Sequence, residues 1–141
     1  MVNVRILGDG AGAVSRAMDM LLGHDLSPAV SDGTHLLVLL PEADTYSVRG
    51  CKILLLPDEP VNIPPCSVAV SYGMSGKCTV TLSSTGERSI LAVQRELPLM
   101  TGGVLEPQEI PVRNHFSLTQ YELMACSAAL LILGAPPSAL A

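Results

Sequence analysis

Aromatic residues are nearly missing from this chain. Tryptophan is absent, phenylalanine occurs once and tyrosine three times, so aromatics make up 3% of 141 residues. Stacking platforms for single-stranded nucleic acid have almost nothing to be built from. Charge is also scarce, at 15% of residues, and 8 Lys and Arg against 13 Asp and Glu leave a net charge of −5. That sign argues against a nucleic-acid or anionic-membrane partner. The four cysteines, Cys51, Cys66, Cys78 and Cys126, contain no CxxC pair, and His24, His35 and His115 are scattered. The spacing of a structural zinc site or a disulfide framework is therefore lacking, and no metal is expected. Reduced, semi-buried thiols are the expectation. The longest uncharged apolar stretch, Leu123–Leu133, is too short to span a bilayer and is stopped by Gly134, Pro136 and Pro137. The first residues lack the basic and apolar regions of a signal peptide. The expectation is a soluble cytoplasmic protein.

What is present is aliphatic. Hydrophobic residues reach 48%, which argues against disorder and calls for a core of Val, Leu, Ile, Ala and Met. Residues 1–141 read as a single domain, with no internal repeat or low-complexity segment. Val2–Leu7 reads as a first strand, and Gly8, Gly10 and Gly12 supply a tight turn. Beyond it Val14, Ala17, Met18, Leu21 and Leu22 recur at helical spacing, with Gly23 as a stop.

Leu36–Leu40 and Ile53–Leu56 are short continuous apolar runs, each followed by a proline, Pro41 and Pro57. Runs without alternation suit strands buried on both faces of a parallel sheet. Ser67–Ser71 is a fourth such strand. The pattern then changes: Cys78–Ser84 alternates polar and apolar residues, as does part of Ser89–Leu97, with Thr85-Gly86 between them. That is a hairpin signal. Glu109–Arg113 reads as a last edge strand. Leu118–Leu133 is the longest helix candidate, with Ser117 as its N-cap, Gln120 completing a capping box, and Gly134 at its C-terminal end.

The candidate site is the glycine turn. Gly8, Gly10 and Ala13 fit GxGxx[GA], in which glycines let backbone N–H groups and a helix N-terminus reach a pyrophosphate. The acidic residue that should end the second strand, about 20 residues on, is not there; Glu42 and Asp44 come later, and Asp9 inside the turn would repel phosphate. Two readings stay open: an anion cradle formed by Gly8, Gly10, Gly12 and Ala13, or a plain strand-to-helix turn. A second stretch, Gly73–Thr79, echoes a P-loop in Gly76-Lys77, but an alternating strand follows where a helix is required. Glu106, Glu109 and Glu122 are isolated carboxylates, and no catalytic residue is assigned.

Three segments together resemble a known family. Lys52–Pro60 (KILLLPDEP), Val68–Ser84 (VAVSYGMSGKCTVTLSS) and Leu123–Pro136 (LMACSAALLILGAP) resemble, in order and spacing, the latter half of the central domain of Mur ligases, the ATP-dependent peptidoglycan amide ligases of bacteria. Asp58, Glu59 and Pro60 match the family's acidic turn, Tyr72 and Gly73 its Tyr-Gly strand end, and Ala125 through Gly134 its buried alanine-rich helix. On that resemblance Ile6–Ser15 is the counterpart of the ATP-binding loop. The departures are chemical. Ala13 stands where the loop lysine is expected and Val14 where the magnesium-binding hydroxyl is expected. The adenine-associated His-Asn-x-x-Asn run is not kept near Leu118, Thr119 and Glu122. Losing charge-assisted contacts to phosphate removes the stronger class of hydrogen bond and leaves phosphoryl transfer little to stabilise it.

The expected fold is therefore a three-layer α/β domain: a mostly parallel sheet with an antiparallel extension, resembling a truncated Mur ligase central domain of the P-loop NTPase-like or Rossmann-like kind, with the last helix packed across the sheet. The expected function is a non-catalytic, Mur-ligase-like domain with a degenerate P-loop. It would act by protein association, as a homo-oligomer or with a protein partner, and use no cofactor. The alternative is a small-molecule or nucleotide-binding protein using the Gly8–Ala13 turn.

Overall fold

The computed structural model describes residues 3–8, 12–22, 35–41, 43, 50–59, 63–84, 88–114 and 116–141. A seven-stranded sheet dominates. Four strands open it: β1 (Val4–Leu7), β2 (Leu36–Leu39), β3 (Cys51–Pro57) and β4 (Cys66–Tyr72). They lie side by side in chain order and pair in parallel, with Val4 opposite Leu36, Leu36 opposite Ile53, and Ile53 opposite Val68. These are the four parallel strands expected from the sequence, but β4 is not buried on both faces as expected, since Ser67, Val68 and Ala69 are exposed. Strand β2 is buried at every position, as a run without polar alternation requires.

The antiparallel extension follows. Strand β5 (Val80–Ser84) pairs antiparallel with β6 (Arg88–Val93), which pairs antiparallel with β9 (Gln108–Arg113) at the far edge. Burial alternates along β6 and β9, the signature of strands with one buried face. Pro111 sits on the edge strand, where its missing N–H interrupts no further ladder. Two short strands, β7 (Leu97–Pro98) and β8 (Val104–Leu105), make a separate ribbon. Strand β4 meets β5 at a single described pair, Tyr72 with Val80, so the sheet has a narrow seam between its parallel and antiparallel parts.

The two helices are α1 (Ala13–Leu22) and α2 (Gln120–Ile132). They touch each other, and α2 also packs on β2, β3, β4 and β5. One continuous core joins Val14, Ala17 and Met18 of α1 to Met124, Ala128 and Leu131 of α2 and to Leu36, Leu55 and Val70 beneath them. A smaller cluster, Leu37, Leu39 and Leu54, forms separately, with Leu7, Ala43, Cys51, Leu56 and Cys66 around it. The expected third, helical layer is not formed among the described residues, because both described helices belong to one core on one side. Ala43, a described residue between β2 and β3, packs instead with the separate Leu37, Leu39 and Leu54 cluster.

The last helix begins two residues later than the sequence suggests. Thr119, not Ser117, is the N-cap: its Oγ1 accepts from the Glu122 N–H at 3.2 Å, and Glu122 Oε1 accepts from the Thr119 N–H at 2.9 Å. Ser117 has φ 53, a left-handed conformation that an N-cap in the β region cannot use. Asn114 imposes that bend, donating through Nδ2 to the Leu118 carbonyl at 2.7 Å and accepting from its N–H at 2.8 Å. The C-terminus ends as expected. Gly134 at φ 105 donates to the Leu131 carbonyl, and Ala135 donates to the Leu130 carbonyl, both at 3.0 Å. This is a Schellman closure.

Candidate site at the carboxyl edge of the parallel sheet

In open α/β sheets ligands bind beyond the carboxyl ends of the parallel strands, where the strand order reverses. Here Leu7, Leu39, Pro57 and Tyr72 end on one edge, but the order does not reverse among β1 to β4. The glycine turn follows β1, which is an edge strand in the described sheet. In the doubly wound arrangement that strand is interior. Gly8, where the described part of the turn leaves β1, therefore lies at the margin of the described sheet.

The turn itself is only partly described. Gly8 has φ 87, and a Cβ there would lie 3.2 Å from the Leu40 carbonyl oxygen and from the Cβ atoms of Leu40 and Ala43. Glycine at this position is thus required by its own conformation and by the closeness of β2. Gly12 has φ 71, and its carbonyl accepts the first helical bond from the Arg16 N–H at 3.0 Å. Ala13 opens α1. Gly10, with Asp9 and Ala11, lies outside the described residues. Arg16 Nη1 stands 3.2 Å from where a Gly12 Cβ would be, which places a guanidinium beside the turn. Val14, at the position of the expected magnesium-binding hydroxyl, is 0% exposed and packed in the core. Ala13 and Val14 supply neither the cation nor the oxygen that a magnesium nucleotide would need, so the described part of this turn does not fit that group.

The more organised constellation on this edge is one that local sequence patterns signal only in part, as Asp58-Glu59 and Tyr72-Gly73. Asp58, just beyond β3, accepts from the Tyr121 hydroxyl through Oδ1 at 2.7 Å and from the Met74 N–H through Oδ2 at 3.1 Å. Gly73 lies against it, and a Cβ at Gly73 would overlap the Asp58 carboxyl carbon. Tyr72, fully buried, donates its hydroxyl to the Leu39 carbonyl at 2.6 Å. Its ring meets that of Tyr121 edge to face, centroids 6.1 Å apart and planes at 63°. The hydrogen bond to Asp58, followed by burial, pushes the Tyr121 phenol up to about 12. Burial first, then Tyr121 and the Asp58 and Glu59 carboxylates, pushes Tyr72 further up still. Both phenols therefore stay protonated at neutral pH and act as donors.

This arrangement holds elements together: it joins the ends of β3 and β4 to the first turn of α2. Of the isolated carboxylates, Glu122 is half of the capping box, while Glu106 and Glu109 are exposed. Lys77 lies in an exposed turn before β5 and no helix follows it, so Gly73–Thr79 is not a P-loop. An apolar concavity is lined by Phe116, Leu118, Leu123, Cys126, Leu130 and Leu140. It lies under β9, at the opposite end of the sheet from the glycine turn. Among the described residues no group of His, Cys, Asp and Glu is placed to hold a metal ion, and no helix is long and apolar enough to cross a membrane. No protein-family model, curated protein or solved structure matches this chain.

Proposed function

We propose that this chain is a non-catalytic α/β domain that acts by protein association, through contact with a second copy of itself, on a reduced Mur-ligase-like scaffold. The observation that carries this reading is the amino-terminal half of β4. Ile63 is 59% and Val68 40% exposed, and Ser67 and Ala69 are exposed beside them. Strand β4 is fourth of seven in the described sheet, yet Ser67, Val68 and Ala69 are exposed in succession and its described pairing to β5 waits until Tyr72. Exposed apolar surface along a sheet is a common site of association. A two-fold contact needs a patch complementary to itself. Residues 63–71 (IPPCSVAVS) carry no charge on a chain of net charge −5, so the segment itself brings no charge into such a contact. The acidic turn at the carboxyl edge fits the same reading, because both oxygens of Asp58 are engaged by the fold. Amide hydrogen exchange at Ser67, Val68 and Ala69, followed as a function of protein concentration, tests it. Association predicts protection that rises with concentration, and exchange independent of concentration contradicts it.

One observation favours a second reading, an anion-binding protein. Arg16 brings a cation to the N-terminal turn of α1, where backbone N–H groups already favour negative charge. A thermal-shift titration with inorganic phosphate, ATP–Mg²⁺ and NAD(P) separates the two. Saturable stabilisation that is lost in Arg16→Glu supports the anion site; no shift at millimolar concentration counts against it.

A further inference from the structure

Two cysteines that are far apart in sequence become neighbours through strand register. Cys51 opens β3, Cys66 opens β4, and the two are Cα partners in the parallel ladder. Both are half-buried free thiols, and both pack against the Leu37, Leu39 and Leu54 cluster. Neighbouring strands lie about 4.8 Å apart, inside the Cα separations of about 4.4–6.8 Å that disulfides span. Partners in register project to the same side of a sheet. The strand starts are drawn together at this point. The Cys51 N–H donates to the Pro65 carbonyl at 3.0 Å, and a Cβ on Gly50 would come within 3.1 Å of that same oxygen. By contrast, Cys78 and Cys126 are buried.

We propose that Cys51 and Cys66 form a dithiol–disulfide couple, a covalent modification site open to small-molecule disulfides of the glutathione type. In the first step the thiolate of one cysteine attacks a sulfur of the small disulfide, forming a mixed disulfide and releasing one small thiolate. In the second, the neighbouring cysteine gives up its proton and displaces the other small thiolate, closing the Cys51–Cys66 bond. Two protein thiols are oxidised and one small disulfide is reduced to two thiols, which take up the two protons. Burial, and after it the Cys66 sulfur, push the Cys51 thiol up to about 11. The second cause agrees with the closeness of the two sulfurs, and the raised value means that closure accelerates as pH rises toward that range.

The test treats the full chain, diluted until it is monomeric, with oxidised glutathione under native conditions and reads intact mass and disulfide-linked peptides. The expected product is two hydrogens lighter than the reduced chain, carries a Cys51–Cys66 linked peptide, and returns to the reduced mass with dithiothreitol. Cys66→Ser should stop at the mixed disulfide on Cys51, and Cys51→Ser at the mixed disulfide on Cys66. A wild-type chain that accumulates stable mixed disulfides at these positions, pairs them with Cys78 or Cys126, cross-links them between two chains, or leaves both unmodified overturns the proposal. The wild-type measurement decides even where a variant folds poorly.

Discussion

The Tyr121 hydroxyl donates to Asp58 Oδ1 at 2.7 Å across a sequence separation of 63 residues, and this bond fastens the first turn of α2 to the end of β3. Its removal has a predictable size. Tyr121→Phe deletes one hydrogen bond to an exposed carboxylate that water can then solvate, so destabilisation of about 0.5–1.5 kcal/mol is expected. Asp58→Ala also strips the Met74 N–H of its acceptor and should cost more, about 1–3 kcal/mol. Urea unfolding of the two variants and of the double variant forms a cycle. Additive effects would show that the pair is not coupled.

Gly73 supplies a steric test of the same corner. A Cβ there overlaps the Asp58 carboxyl carbon, whereas a Cβ on Gly76 meets nothing within 4 Å. Gly73→Ala should destabilise the fold by about 1–3 kcal/mol, the usual cost of overpacking. Gly76→Ala should stay within about 0.5 kcal/mol of wild type. Equal effects in the two variants would contradict the close packing of Asp58 on the β4 end.

Stability should fall on the alkaline side, and Tyr121 sets one part of that fall. Its phenol is raised from 10.0 to about 12 in the folded chain, first by its bond to Asp58. The unfolded chain therefore loses this proton first. The stabilisation is complete below about pH 10 and disappears as pH rises through about 12. Cys51, raised from 9.0 to about 11 by burial and by Cys66, contributes a loss in the same direction beginning near pH 9. Denaturant midpoints measured from pH 8 to 12 should decline more shallowly in Tyr121→Phe than in wild type. Parallel slopes would contradict the assignment.

The helix cap is equally checkable. Thr119→Ala removes the Oγ1 that accepts from Glu122 and should cost about 1 kcal/mol. Ser117→Ala, in the left-handed bend before it, removes no cap and should be within about 0.5 kcal/mol of wild type. Thermal unfolding distinguishes the two directly.

Much of the architecture was legible because the physical signals are local. Strands β2 and β3 are built on uninterrupted aliphatic runs followed by Pro41 and Pro57, and the hairpin coincides with the alternation in Cys78–Ser84. The sequence alone does not place the cap, because Ser117 and Thr119 each precede a Gln or Glu by three residues. Asn114, clasping Leu118 from four positions away, decides between them. Strand order is not a local property. Nothing in the Gly8–Ala13 turn reveals that β1 is an edge strand of the described sheet. The Asp58, Tyr72, Gly73 and Tyr121 corner was half visible as Asp58-Glu59 and Tyr72-Gly73. Tyr121 belongs to a helix far along the chain, and only tertiary packing brings it in. The Cys51–Cys66 pairing likewise follows from register alone.

The claim that association is the mode of action rests on the exposed start of β4, and sedimentation velocity over a range of concentrations tests it most directly. The wild-type chain should sediment as a dimer or larger species that dissociates on dilution. Val68→Lys, which sets a charge at the centre of the apolar patch, should sediment as a folded monomer at concentrations where wild type is associated. A wild-type chain that remains monomeric throughout, or a Val68→Lys variant that associates as wild type does, would contradict the account.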